Sequence, residues 1–105
     1  MGEMTREAAL EALGKCRREI DDLDVRILDL LNQRAGIVGQ IGHIKQAAEM
    51  PICEPKREDQ VFENVTVHNE GPLSSGAVKR VFERIIDEMR KVQRDRMEAD
   101  KDQCS

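Results

Sequence analysis

The sequence predicts an all-α fold: a three-helix chain with one very long first helix, paired as an intertwined homodimer. Three observations carry that expectation. From Cys16 to Ala48 the apolar and near-apolar positions run Cys16, Ile20, Leu23, Ile27, Leu30, Ile37, Ile41, Ile44 and Ala48. Their four- and three-residue steps mark the seam of a helix packed lengthwise on other helices. Hydrophobic residues make up 39% and charged residues 36% of the chain, with two phenylalanines and no tryptophan or tyrosine. That balance suits charged helices and not a sheet. Prolines at 51, 55 and 72 fall between three periodic stretches and inside none of them, where they break a helix or start one.

The first helix is expected over residues 6 to 48. Thr5 offers a cap, Glu7 favours the first turn, and Leu10 and Leu13 extend the seam backwards. Gly14, Gly36, Gly39 and Gly42 lie inside it, each costing about 1 kcal/mol against alanine. The last three, spaced by three, either admit a neighbouring backbone or ligand closely or are simply tolerated. No strand precedes them, so they are not a phosphate loop. Such a helix is roughly 65 Å long, whereas a compact domain of 105 residues has a radius of gyration near ~13 Å. One copy cannot wrap a globule around that rod, so a second chain is expected to cover part of the seam.

Glu49 to Cys53 form a break around Pro51. Pro55 suits the first position of a second helix, with Val61, Phe62 and Val65 as its apolar face to about Asn69. Glu70-Gly71-Pro72 ends it, and Ser74 or Ser75 caps a third helix carrying Val78, Phe82, Ile85, Met89 and Val92. The whole chain, residues 1 to 105, is expected to be a single helical domain with its core over 6 to 94. The charged tail 95 to 105 is expected to fray.

The formal net charge is -4, and stacking aromatics are missing, so neither the field nor the platforms for nucleic acid are present. Cys16, Cys53 and Cys104 are widely spaced and match neither a disulfide framework nor a zinc site. Cys16 reads as a small core residue and Cys104 as part of the polar tail. His43 and His68 belong to no cluster of metal spacing and read as surface residues. MGEMTREAAL lacks the apolar run of a signal peptide, and no stretch approaches membrane-spanning length. A reduced, cytoplasmic setting is the expectation.

Polar residues interrupt the apolar faces. Between Leu30 and Ile37 the seam calls for an apolar residue and meets Arg34; Lys45 lies only ~20° round from it and roughly 16 Å along the axis. A buried charge needs a partner, either an internal acid or an anionic ligand. On the third helix Gln93 shares a face with Phe82 and Ile86 within about 20°, and a buried amide also needs a partner. The second helix brings Arg57 and Glu58 side by side near its start, after Glu54 at the cap. These residues outline a pocket of several cations, one carboxylate and one amide. Equally, Glu58 neutralising Arg34 or Lys45 would make a purely structural network. Hydrolytic chemistry has weak support without a histidine or activated nucleophile nearby.

The segments CRREIDDLDVRILDLLNQR (16–34), GHIK (42–45), PICEPKRE (51–58) and VFERIIDEMRKVQ (81–93) together resemble the all-helical class of chorismate mutases over roughly residues 13 to 94. The resemblance implies an intertwined dimer with two equivalent sites and an intramolecular Claisen rearrangement of chorismate to prephenate, needing no cofactor or metal. It implies that Arg17 and Arg34 hold the two carboxylates of chorismate, that Lys45 and Gln93 donate to the ether oxygen, and that Arg57 helps fix the enolpyruvyl carboxylate. Glu58, with the backbone near Glu54, would bind the ring hydroxyl; Met89, Ile41 and Ile86 complete the implied substrate-binding set. Arg17 lies roughly 25 Å and about 100° from Arg34 along one helix, too far for a ten-carbon metabolite, so it would serve the partner's site.

Two departures from the family pattern stand out. Glu54 replaces a frequent aspartate, which could shift the start of the second helix. Met89 stands where some members carry a small hydroxyl residue, which should narrow the pocket. The rival readings are isochorismate-pyruvate lyase on the same scaffold and a non-catalytic helical dimerisation or regulatory module.

Overall fold

A computed structural model describes residues 2–103; Cys104 and Ser105 lie outside the described residues. Three helices follow in order, α1 (Arg6–Ala48), α2 (Pro55–His68) and α3 (Ser75–Gln103), with no strand among the described residues. Met1–Arg34 and Ala35–Ser105 form two units. None of the helices is long and apolar enough to cross a membrane.

In the first unit, Thr5 begins α1 as expected: its Oγ1 accepts the Ala8 N–H at 3.1 Å. The seam residues Ile20, Leu23, Ile27 and Leu30 are all exposed, Leu30 at 63%. Cys16 is exposed too, on the face that the sequence expects a second chain to cover.

The second unit holds the core. On α1 the buried residues are Val38, Gly42 and Lys45, one face at four- and three-residue steps. The isoleucine stripe of Ile37, Ile41 and Ile44 stays exposed beside it. The expected seam and the face packed on the chain's own helices are therefore different faces of α1. From α3, Val78, Ile86, Met89 and Gln93 are buried, and Phe82, Ile85 and Val92 are half-buried. On α2, Val61, Phe62 and Val65 are half-buried, the modest face its sequence suggests.

Helix ends follow local chemistry. α1 closes with the Met50 N–H on the Lys45 carbonyl at 2.8 Å, across Glu49 in the left-handed region at φ 55°. Glycine usually takes that position, and another residue there costs roughly 1–2 kcal/mol. Asn69 caps α2 and organises the next turn: its Oδ1 accepts the Gly71 N–H at 3.0 Å and its Nδ2 donates to the Leu73 carbonyl at 2.7 Å. Gly71, at φ 79°, supplies the left-handed residue this turn needs. Ser74 Oγ accepts the Ala77 N–H at 3.1 Å to open α3. That helix runs past Arg94 to Gln103, where the sequence suggested a frayed tail. The added stretch has neither proline nor glycine and is rich in helix-favouring Arg, Met, Glu, Ala and Lys.

Candidate active site

Lys45 sits in the last turn of α1, where the helix dipole favours a cation, and is only 6% exposed. Its Nζ donates to the Ile52 carbonyl at 3.1 Å and pairs with Glu54 Oε1 at 2.7 Å. An internal acid therefore meets this cation, and it is Glu54 and not Glu58. The described contacts engage two of the three ammonium N–H groups. The geometry is set by the 49–54 connection, which doubles back from α1 and returns Ile52 and Glu54 to the residue one turn before the break.

Glu54 departs from capping as it departs from aspartate. It makes no side-chain cap hydrogen bond, because its longer side chain reaches across to Lys45 instead. Pro55 is the first residue of α2, and the Glu58 N–H closes the first turn on the Glu54 carbonyl at 3.1 Å. The Glu54 side chain is 45% exposed, so its pairing with Lys45 is half open to water.

Gln93 is 8% exposed, and its Oε1 is a buried oxygen without a hydrogen-bond partner. Such an orphan is costly in an interior. It lies where α3 presses on α1: a Cβ placed on Gly42 would come within 2.9 Å of the Gln93 carbonyl oxygen. Gly42 thus admits a neighbouring backbone, one of the two readings open for it; at Gly36 and Gly39 an added Cβ meets nothing within 4 Å. Because Gly42 is three residues before Lys45, the close contact sets Gln93 against the turn adjoining the buried ammonium.

Glu58 takes a partner that the sequence reading missed. Its Oε1 accepts from Arg90 Nη2 on α3, and Arg90 Nη1 reaches Asp87 Oδ1 one turn back. The glutamate raises the Arg90 guanidinium above its usual range, through the hydrogen bond first and charge second, with burial opposing. Helical phase contained a signal for this residue: Arg90 is only about 60° round and 4.5 Å along the axis from Gln93. In so charged a helix, phase alone does not single it out from the neighbouring arginines.

Of the other expected residues, Ile86 and Met89 are buried in the second unit, and Ile41 is 39% exposed at the edge of its face. Arg57 is exposed and donates to Gln60 Oε1 at 3.4 Å, along its own helix. Arg17 and Arg34 belong to the first unit, Arg17 exposed and Arg34 half-buried. His43 and His68 are exposed, as expected; His68 Nδ1 lies 2.8 Å from the Asn64 carbonyl.

A sequence model of chorismate mutase type II matches residues 16–94. The bifunctional chorismate mutase/prephenate dehydratase of Aquifex aeolicus is 38% identical over 81 residues, covering 73% of this chain. The chain spans only 22% of that relative's length. The chorismate mutase of Methanocaldococcus jannaschii is 24% identical over 85% of this chain and 91% of its own. A chorismate mutase of Helicobacter pylori, solved in complex with prephenate, superposes with a TM-score of 0.78 at 31% identity, covering 84% of this chain and 96% of that one. By sequence and by fold, the chain belongs to the chorismate mutase type II family.

Proposed function

We propose that the chain converts chorismate to prephenate. One observation carries the proposal: in a member of this family, a buried ammonium and a buried amide, Lys45 and Gln93, lie on two tightly packed helices. Neither suits a purely apolar core, and both suit a polar ligand.

The reaction breaks the ether carbon–oxygen bond while a new carbon–carbon bond forms within the same molecule. No proton moves and no covalent intermediate is needed. The substrate is a flexible dianion, so catalysis begins with folding it into a chair-like shape. Arg34, with Arg17 of the partner subunit, would grip its carboxylates, since a guanidinium fork binds a carboxylate in two places. Arg57 would turn from Gln60 to steady the enolpyruvyl carboxylate. As the ether bond breaks, negative charge grows on its oxygen. The remaining Lys45 N–H and the Gln93 Nε2–H would meet it with fixed donors in a dry pocket, each typically worth about 3–4 kcal/mol. Glu58 and the backbone near Glu54 would receive the ring hydroxyl, with Ile41, Ile86 and Met89 as the apolar lining.

A homodimer completes the proposal. The exposed stripe from Leu10 to Ile44 is long and apolar, and a second copy would cover it while delivering Arg17. A reduced, cytoplasmic location belongs to the same proposal.

The test is direct. Purified chain is incubated with chorismate, its ultraviolet absorbance followed and prephenate identified; with no tryptophan or tyrosine, the protein itself interferes little. Loss of chorismate with stoichiometric prephenate supports the proposal. Inert chorismate, or pyruvate released from isochorismate, refutes it.

A further inference from the structure

We propose that Arg90 is a positioning residue for the substrate's ring hydroxyl, acting through Glu58. The inference rests on the chorismate mutase reading above and deepens it. Glu58 reaches from α2 on a half-buried side chain with three rotatable bonds. Arg90 holds it by one oxygen only, Oε1. The other oxygen is left as the acceptor for a hydroxyl, in an orientation fixed by the first.

The brace is itself braced. Arg90 spans from Glu58 on α2 to Asp87 on its own helix, so both arms of its planar fork are engaged and its position is set by α3. The same α3 turns carry Met89 and Gln93, both buried. Displacements of α3 that carry Gln93 therefore carry the Glu58 carboxylate too. Asp87, Arg90 and Glu58 form an acid–base–acid chain that couples the hydroxyl-binding group to the helix bearing the amide. A lysine cannot substitute for this, because its point charge lacks the two-armed geometry.

Arg90→Gln is compared with wild type on chorismate and on an analogue lacking the ring hydroxyl, with melting temperatures as a control for folding. On chorismate, kcat/KM should fall about tenfold, the loss of one ordinary hydrogen bond; on the analogue it should change less than about twofold. Arg90→Lys should not restore the loss. In a Glu58→Gln background, Arg90→Gln should cost nothing further. If Arg90→Gln fails to fold, Asp87→Asn reads the same chain, with a smaller loss confined to the hydroxylated substrate. Equal losses on both substrates would make Arg90 only a staple between α2 and α3. A further loss in the Glu58→Gln background would put Arg90 on the substrate directly. Either result overturns the inference while wild type still turns over chorismate. An inactive wild type overturns the functional reading and this inference together.

Discussion

Replacing Gly42 by alanine adds one methyl group where α1 and α3 approach closely. The new carbon would stand 2.9 Å from the Gln93 carbonyl oxygen, 3.2 Å from its Cγ and 3.4 Å from its Cα. Since ordinary contact begins near 3.4 Å, the helices must part by about 0.5 Å at Gln93. Two effects then oppose each other in stability. Alanine favours the helix by up to about 1 kcal/mol, while overpacking costs about 1–3 kcal/mol. The net is a loss of about 0–2 kcal/mol, a fall in Tm of up to roughly 10 °C for a domain of this size. Catalysis has no such compensation. A 1 Å misplacement can cost about 10²-fold in rate, so half that distance should lower kcat roughly tenfold. Gly36→Ala and Gly39→Ala, where the methyl meets nothing within 4 Å, should raise Tm and leave kcat within about twofold. Calorimetric melting and chorismate turnover on all three variants decide the matter. A Gly42→Ala protein that melts higher and turns over normally would refute a tight α1–α3 contact at Gln93.

Lys45→Ala should lower kcat by about 10²–10³-fold, as expected for removing one fixed donor to a developing oxyanion, with helical circular dichroism retained. Near-normal turnover would remove Lys45 from the mechanism. Gln93→Glu should give activity that rises as pH falls, because only the protonated acid donates a hydrogen bond and burial favours that neutral form; a flat pH profile would count against contact with the ether oxygen. Ile27→Asp places a charge on the exposed apolar stripe of α1 and should convert a dimer to monomer in sedimentation velocity, with turnover lost as well. A dimer that tolerates the aspartate would place the interface elsewhere.

The helix boundaries were legible because local chemistry sets them. Thr5, Pro55 and Ser74 act within a turn of themselves, and the structure uses each where the sequence offered it. Beyond Arg94 charge alone suggested fraying, although the residues there favour helix individually and α3 runs to Gln103. Burial was harder to read. Two adjacent faces of α1 carry helical periodicity, and the more apolar one, with Ile37, Ile41 and Ile44, is not the face its own chain covers. Periodicity reports that a face is apolar, not which neighbour meets it. For the site, Lys45 and Gln93 were legible as polar residues on core faces. Their partners were not. Whether Glu54 or Glu58 meets Lys45 depends on how the 49–54 connection folds back, and the Arg90 contact joins residues 32 apart in the chain.

Lys45 fastens the connector as well as serving the proposed site, since the same nitrogen binds the Ile52 carbonyl and the Glu54 carboxylate. Substitutions at this position are therefore double lesions: they delete a donor and unmoor the segment that launches α2. A slow Lys45 variant confounds chemistry with architecture unless Glu54→Gln, which loosens the tether and spares the ammonium, is measured alongside it.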